Sequence, residues 1–211
     1  MKHGIWFVFA LLLISAFLFA CDEAEDSLKD AVEEWIEGVP DDVSDFLDED
    51  DIKELEELGM DIYTGENPPA VFGDYYLDSL VVEYDTAGNQ GLQIVPYDWH
   101  YTAPGGRGDL TCSYESDATT GMEDVASGLA GWTSGEDNCF TVYLDFEGNA
   151  NGCEYKMPMV QSGCLTDEGI TDFTIAYVMK DKDELNPACL SLMPIDAKRI
   201  TVETDKLAES K

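Results

Sequence analysis

Five side chains with oxygen atoms that could bind a metal ion lie within ten residues of one another. They are Asp145, Glu147, Asn149, Asn151 and Glu154. Calcium takes alternating oxygen ligands of this kind from a tight loop, so this segment is a candidate calcium site. An EF-hand loop starting at Asp145 would need glycine at 150 and glutamate at 156, where the chain has Ala150 and Lys156. A calcium site here would therefore have another shape, and an exposed polar turn without metal is the alternative.

Six cysteines offer redox and metal-binding chemistry. No two of them form a Cys-x-x-Cys pair, so the sequence supports neither a zinc site nor a thioredoxin-like redox site. Outside the cytoplasm such cysteines oxidise to disulfides. Five remain besides Cys21, and an odd number leaves one free or paired with another chain. These five are Cys112, Cys139, Cys153, Cys164 and Cys189.

Signs of catalysis are few. Beyond the first twenty residues His100 is the only histidine, and there is no Gly-x-Ser-x-Gly elbow, phosphate loop or His-Glu-x-x-His motif. Paired carboxylates can cleave glycosides. However, with 45 acidic residues in 211 the presence of such a pair carries no information. We predict a protein that is not an enzyme, with a carboxylate-dependent hydrolase as an alternative.

The N-terminus has the form of a secretion signal. Residues 1–20 contain no acid, and the run from Ile5 to Ala20 is apolar apart from one serine. These 16 residues are fewer than the about 20 that a membrane-spanning helix needs. Leu18–Cys21 resembles the bacterial lipobox, in which the cysteine is lipidated and the signal is cleaved before it. We expect lipidated Cys21 to begin the mature chain; a free Cys21 after ordinary cleavage and a retained helical anchor are the alternatives.

The charge of the chain is strongly acidic, with a formal net value of −34. Residues 21–61 alone hold 19 of the 45 acidic residues. Such a surface repels nucleic acid and anionic lipid headgroups. We therefore expect no nucleic-acid partner, and membrane association through acyl chains such as palmitate on Cys21.

The acidic segment 21–61 is predicted to be a helical tether between the signal and a β domain of residues 62–211. Ser27 with Asp30 resembles a capping box. Asp48 could cap a second helix with its apolar residues on one side. The tether would dock a partner or distance the domain from the membrane. The alternative is a solvated segment with weakly formed helices, because neighbouring acids repel one another.

Alternation of apolar and polar residues from Gly73 onward predicts β-strands. It is regular over 139–146, 153–160 and 173–179. Further candidates are 75–84, 91–101, 109–116, 127–133, 188–194 and 198–204. About eight or nine short antiparallel strands favour a mainly β barrel or closed sandwich.

One strand register predicts a disulfide. If residues 147–152 form a turn, Phe140 lies opposite Met159, with successive inward pairs following on the same face. Cys139 then lies opposite Val160, near the strand end that leads to Cys164. We therefore predict a Cys139–Cys164 disulfide.

The stretch from Leu55 to Tyr76 resembles the start of a group of uncharacterised bacterial lipoproteins. In that group an Ile-Tyr-x-Gly-x-x-Pro-Pro segment precedes a Gly-x-Tyr at the first strand. The group is similar to calycins, the lipocalin-like barrels, which open with Gly-x-Trp; here Gly73-Asp74-Tyr75 stands in that place. The resemblance covers about residues 53–208 and implies a lipocalin-like barrel. It also implies that Arg199, in the last predicted strand, packs over Tyr75 or Tyr76 as a cation–π contact.

An eight-stranded barrel can hold one small ligand or be filled by its own side chains. Predicted inward residues that could line an adaptable apolar pocket are Tyr155, Met157, Met159, Phe173 and Met179. We expect a lipid-anchored lipoprotein of the bacterial cell envelope, on the outer membrane, that binds a small apolar ligand or an envelope protein. A purely structural lipoprotein with a filled barrel is the alternative. Asp22 follows the cysteine, as in inner-membrane lipoproteins of some bacteria, so the inner membrane is the alternative location.

Overall fold

Most of the described chain is β-strand. The computed structural model describes residues 41–103, 110–116 and 121–211. The predicted signal, Cys21 and the first predicted tether helix lie outside these ranges. The described residues form one compact unit. No helix among the described residues is long and apolar enough to cross a membrane.

Two short helices precede the strands, and a 3-10 helix, Pro187–Ser191, follows most of them. The helices are α1 (Asp41–Ser44) and α2 (Glu49–Glu57). The strands are β1 (Gly73–Leu77), β2 (Leu80–Asp85), β3 (Gln93–Ile94), β4 (Tyr97–Thr102), β5 (Thr111–Ser116), β6 (Asp124–Glu136), β7 (Cys139–Ala150), β8 (Cys153–Lys156), β9 (Met159–Leu165), β10 (Gly169–Val178), β11 (Asp181–Lys182), β12 (Lys198–Glu203) and β13 (Leu207–Ser210).

Eight of these strands close into an antiparallel barrel, which confirms the predicted fold class. Around the ring the order is β6, β5, β4, β1, β13, β10, β9 and β7, and β7 pairs with β6 again. The remaining strands extend the sheet at one end. There β12, β2 and β3 continue from the second half of β10, and β8 and β11 continue from β7. We call this end, where β2, β3 and the 3-10 helix lie, the split end.

A buried carboxylate fixes the double bend at which the sheet divides. Glu203 is 1% exposed and accepts hydrogen bonds from the backbone N–H groups of Asp78 (2.8 Å), Ser79 (3.1 Å) and Asp205 (3.2 Å). Asp78 and Ser79 join β1 to β2, and Asp205 lies between β12 and β13. One side chain therefore satisfies donors in both connections, where the strands leave their ladders.

The predicted register between β7 and the following strands is wrong by four residues. Ala150 pairs with Cys153, so that only Asn151 and Gly152 form the turn. Both have positive φ, at 51° and 87°, as a type I′ hairpin turn requires. Because a shift of four keeps the alternation, each residue still faces the predicted side. The corrected register places Cys139 directly opposite Cys164, and the structure joins them in a disulfide.

Helix α2 belongs to the compact unit that contains the barrel, although the sequence analysis assigns it to the tether. The predicted cap is present, since the Asp48 carboxylate accepts a hydrogen bond from the N–H of Asp51 at 2.7 Å. Ile52 and Leu55 are fully buried. On β10, Val178 alternates with inward residues and is also buried, so the barrel wall is covered on its outer face here.

Four other strand predictions are wrong. The candidate 188–194 contains the 3-10 helix, which Asn186 caps by accepting from the N–H of Ala188. Pro187 fits the start of a helix and supplies no N–H for a ladder. The other three candidates are each two strands: 75–84 is β1 and β2, separated by the bend at Asp78, 91–101 is β3 and β4, and 153–160 is β8 and β9.

Asp51 joins α2 to the barrel by ion pairs with Lys180 at 2.5 Å and Lys198 at 2.9 Å. Burial by itself would raise the pKa of Asp51, but hydrogen bonds and charge from the two lysines outweigh it and hold the pKa below its usual value. The ion pairs therefore stabilise the fold above the unfolded-state pKa of about 3.9, and this stabilisation is lost as pH falls through the lower folded-state pKa.

We predict that Asp51→Asn lowers the free energy of unfolding by about 2 kcal/mol at neutral pH, because it leaves Lys180 without a carboxylate partner and Lys198 with only that of Glu54. The difference from wild type should shrink as pH falls below about 4. Urea unfolding across this pH range measures it. Asp50→Asn, which removes the same charge from an exposed neighbour, is the control. Equal effects of the two variants would contradict the role of the ion pairs.

Candidate ligand-binding cavity

The barrel interior differs between its two halves. Towards the end with the Cys139–Cys164 disulfide, large side chains fill it: Tyr101, Phe140, Phe146 and Phe173 are at most 1% exposed. At the split end a cavity of about 380 Å³ remains. Five aromatic residues line it, namely Tyr97, Trp99, Tyr114, Tyr155 and Tyr177, together with Met157, Met179 and Met193. The protein is therefore neither a wholly filled nor a wholly hollow barrel.

Small residues on two adjacent strands make room for the aromatic rings. In one cross-strand row Tyr114, Ala126, Gly148 and Tyr155 are successive partners on β5, β6, β7 and β8. A Cβ atom on Gly148 would lie 2.4 Å from the hydroxyl oxygen of Tyr155 and 2.7 Å from the Cβ of Ala126. The absence of a side chain at 148 thus lets Tyr155 cross the row, where its hydroxyl meets that of Tyr114 at 2.5 Å.

A buried carboxylate lies at the centre of this aromatic group. Asp124 is 7% exposed and lines the cavity. Its Oδ2 accepts a hydrogen bond from the Tyr97 hydroxyl at 2.9 Å, and its Oδ1 accepts one from the Tyr155 hydroxyl at 2.8 Å. Because Tyr155 donates its only hydroxyl proton to Asp124, the Tyr114 hydroxyl must donate to Tyr155. Two routes of hydrogen bonds thus end on one carboxylate: Tyr114 through Tyr155 to Oδ1, and Tyr97 directly to Oδ2.

Burial dominates the ionisation of this group. It raises the pKa of Asp124 above the usual value, while the hydrogen bonds from Tyr155 and Tyr97 act in the opposite direction. Burial also raises the pKa of Tyr97 and Tyr155, and the nearby charge of Asp124 adds to that rise. The tyrosines therefore remain protonated donors at neutral pH.

Arg199 also lines the cavity, and its partner is not the predicted one. Its Nε and Nη2 donate to Oδ2 of Asp85 at 2.7 and 2.6 Å, because β12 pairs with β2 and places the two residues opposite each other. The expected cation–π contact of Arg199 with Tyr75 or Tyr76 is therefore wrong. The last strand is β13, and Lys211 just beyond it places its Nζ 5.3 Å from the centre of the Tyr76 ring.

The predicted pocket residues divide between the two halves of the barrel. Tyr155, Met157 and Met179 line the cavity. Met159 and Phe173 lie deeper, at 0% and 1% exposure, and belong to the filled core.

The five candidate calcium ligands serve strands and turns. Asp145 and Glu147 lie 3.1 and 3.9 Å from the Nζ of Lys156. Asn149 accepts from the N–H of Gly152, and Asn151 accepts from the N–H of Glu123. Glu154 pairs with Asn149 across β7 and β8. The described ranges contain no group of three or more Asp, Glu, His or Cys residues arranged to hold a metal ion.

The remaining cysteines are accounted for. Cys153 bonds to Cys189 and ties the 3-10 helix to β8 beside the cavity. Lys182 reinforces this connection by donating to the carbonyls of Cys189 (2.9 Å) and Leu192 (3.2 Å). Cys112 is free and buried, and burial raises the pKa of its thiol. Since the thiolate is the reactive form, this cysteine is a core residue and not a nucleophile.

An acid–imidazole pair lies on the outer wall, away from the cavity. His100 contacts Asp74 through Nδ1, and Ser113 is the cross-strand neighbour of His100 on β5. The side chains of His100 and Asp74 are 53% and 59% exposed, on a wide open groove. Among the hydrogen bonds of the described residues, none joins Ser113 to His100. The serine is therefore not positioned as a nucleophile for the His100–Asp74 pair.

Comparison with known proteins yields no relative: no family model, curated protein or solved structure matches the chain. A function for the cavity must therefore rest on the geometry and chemistry of its own residues.

Proposed function

We propose that the barrel is a non-catalytic binding module that holds one compact, mainly apolar molecule in the cavity at its split end. The observation that carries the proposal is the contrast within the interior. One half is filled by large side chains, whereas the other keeps about 380 Å³ open between rings and thioethers. Cavities of about 300–1,000 Å³ with few polar groups are typical of small-molecule sites.

The size of the cavity limits the ligand. At about 30 Å³ for each water in the liquid, the space equals that of about a dozen water molecules. Because covalently bonded atoms pack more closely than separate water molecules, a compact molecule of up to about twenty non-hydrogen atoms would fit. Flexible thioethers from Met157, Met179 and Met193 let the wall adapt to such a ligand.

An unsatisfied donor supports a ligand in this place. Trp99 is 2% exposed and lines the cavity, and its indole N–H has no acceptor among the described residues. Buried donors without a partner are rare in proteins and call for an explanation. A polar atom of a bound molecule would supply the missing acceptor.

We predict that Met157→Trp, which places a larger side chain in the cavity wall, weakens binding of the neutral fluorescent probe N-phenyl-1-naphthylamine at least tenfold. The matched control is Leu129→Trp, because Leu129 is 55% exposed on β6. The control should leave probe affinity unchanged. No probe binding to the wild-type chain, or equal losses in both variants, would contradict the cavity as binding site.

We further propose that lipid on Cys21 holds the protein at the bacterial cell envelope. The support is the sequence: a short apolar leader without acids ends in a small residue before the cysteine. Acyl chains bind the bilayer by about 0.8 kcal/mol for each buried CH₂, so two or more anchor a protein firmly. The acidic chain would then project into water.

Cys21→Ser should release the protein from the membrane fraction and remove the acyl mass from the mature N-terminus. Fractionation of the native host and intact mass spectrometry measure both. Cys112→Ser, which changes a buried thiol, is the control and should stay membrane-bound. An unchanged membrane fraction and mature mass for Cys21→Ser would contradict lipid anchoring.

A further inference from the structure

We infer that the ligand of this cavity carries a positively charged amine, which binds against the carboxylate of Asp124. The inference rests on the proposed binding function and names the chemical class of the ligand. It follows from three features of the cavity: the partners of Asp124, the direction of their hydrogen bonds, and the rings around them.

Asp124 is a buried acid without a cationic partner. In the described part of the chain no lysine, arginine or histidine nitrogen lies within 4.0 Å of its carboxylate oxygens. Its side-chain partners are the neutral hydroxyls of Tyr97 and Tyr155. A buried charge is costly unless it is paired or well hydrogen-bonded. Asp51 meets two lysines and Asp85 meets Arg199, and Glu203 accepts three backbone N–H groups. Among the described residues Asp124 has neither a cation nor a backbone donor to its carboxylate, only two neutral hydroxyls.

The hydrogen bonds around Asp124 run in one direction. Tyr114 donates to Tyr155, and Tyr155 and Tyr97 donate to the carboxylate. These donors are therefore spent inside the network, and what the three tyrosines offer a ligand is oxygen lone pairs and ring faces. All of these are regions of negative potential, so a ligand group that donates hydrogen bonds and carries positive charge is the complement.

The aromatic lining strengthens the preference for a cation. Tyr97 and Tyr114 meet edge to face with ring centres 5.1 Å apart, and the ring centres of Trp99 and Tyr114 are 4.8 Å apart. Tyr155 and Tyr177 complete the aromatic wall. The faces of such rings attract ammonium groups, and more strongly where water is excluded.

Arg199 does not reverse this charge balance. Among the described residues it is the one cation lining the cavity, and both its Nε and Nη2 donate to Asp85, whose side chain is fully buried. The Arg199–Asp85 pair is neutral as a unit. The charge left over in the cavity is therefore that of Asp124, which disfavours an anionic ligand.

Three probes with the same indole ring and different heads test the inference: tryptamine (cation), tryptophol (neutral) and indole-3-acetate (anion). Calorimetry on the whole mature chain at neutral pH and physiological salt should show tryptamine binding at least about tenfold tighter than tryptophol, with indole-3-acetate weakest. In Asp124→Asn the advantage of tryptamine over tryptophol should disappear, because the carboxylate charge that attracts the amine is gone.

A control separates the cavity from the general acidity of the protein. Glu115→Gln removes an exposed charge from the outer face of β5 and should leave tryptamine binding unchanged. An equal loss in Glu115→Gln and Asp124→Asn would overturn the inference. Should Asp124→Asn not fold, a crystal structure of the wild-type complex decides the matter: an amine nitrogen hydrogen-bonded to Asp124 supports the inference, and one placed elsewhere overturns it.

The inference and the proposed function fail in different ways. If tryptophol or indole-3-acetate binds as tightly as tryptamine, the amine preference is wrong and the binding function stands. If the three indoles fail to bind but N-phenyl-1-naphthylamine binds, the amine preference is again wrong and the binding function again stands. If that probe fails as well, both are wrong.

Discussion

Strand β9 is hydrogen-bonded along both of its edges, to β7 on one side and to β10 on the other, and this double pairing closes the barrel. Without it the sheet would be open, and the alternating inward residues would have no enclosed space to fill. The Cys139–Cys164 disulfide lies on the same seam, at the end of the β7–β9 pair. The closed ring gives the structure an inside, and the remaining strands determine the shape of its split end.

The split end shows how a closed barrel keeps a cavity without losing its core. Ala126, Gly148 and Ala150 on two neighbouring strands leave this space open, and the aromatic rings of Tyr114 and Tyr155 from the flanking strands β5 and β8 extend into it. Burial of Asp124 in this space is unfavourable for its charged form, as the raised pKa shows. The tyrosine hydrogen bonds offset part of this penalty. A bound cation would offset more of it, which links the stability of the cavity to its occupancy.

Alternation of apolar and polar residues predicts correctly which face a residue takes. It predicts Phe140, Phe173 and Met179 to point inward, and all three lie in the core cluster. Pairing was harder, because a shift of four residues preserves every face; Asn151-Gly152, the strongest hairpin signal in the segment, would have fixed the register. Alternation also could not separate Met157, in the cavity wall, from Met159, in the filled core, since that difference depends on which residues lie across the barrel.

The sequence does not single out Asp124, at the centre of the candidate site, for a specific reason. The predicted strand begins at 127, three residues after the true start of β6, so that Asp124 lies outside the prediction. The pattern Asp124, Ala126, Gly128, Ala130 alternates small residues with others and would have extended the strand. The predicted cation–π contact of Arg199 fails because the sequence pattern does not reveal β13 as the last strand, and only the strand order shows that Asp85 lies opposite Arg199.

Native mass spectrometry of the protein purified in mild detergent from its own host tests the central claim most directly. We predict a complex that contains one small basic molecule, and that loses this molecule in Asp124→Asn. A wild-type chain that carries no small molecule, or the same molecule bound equally well by Asp124→Asn, would contradict it.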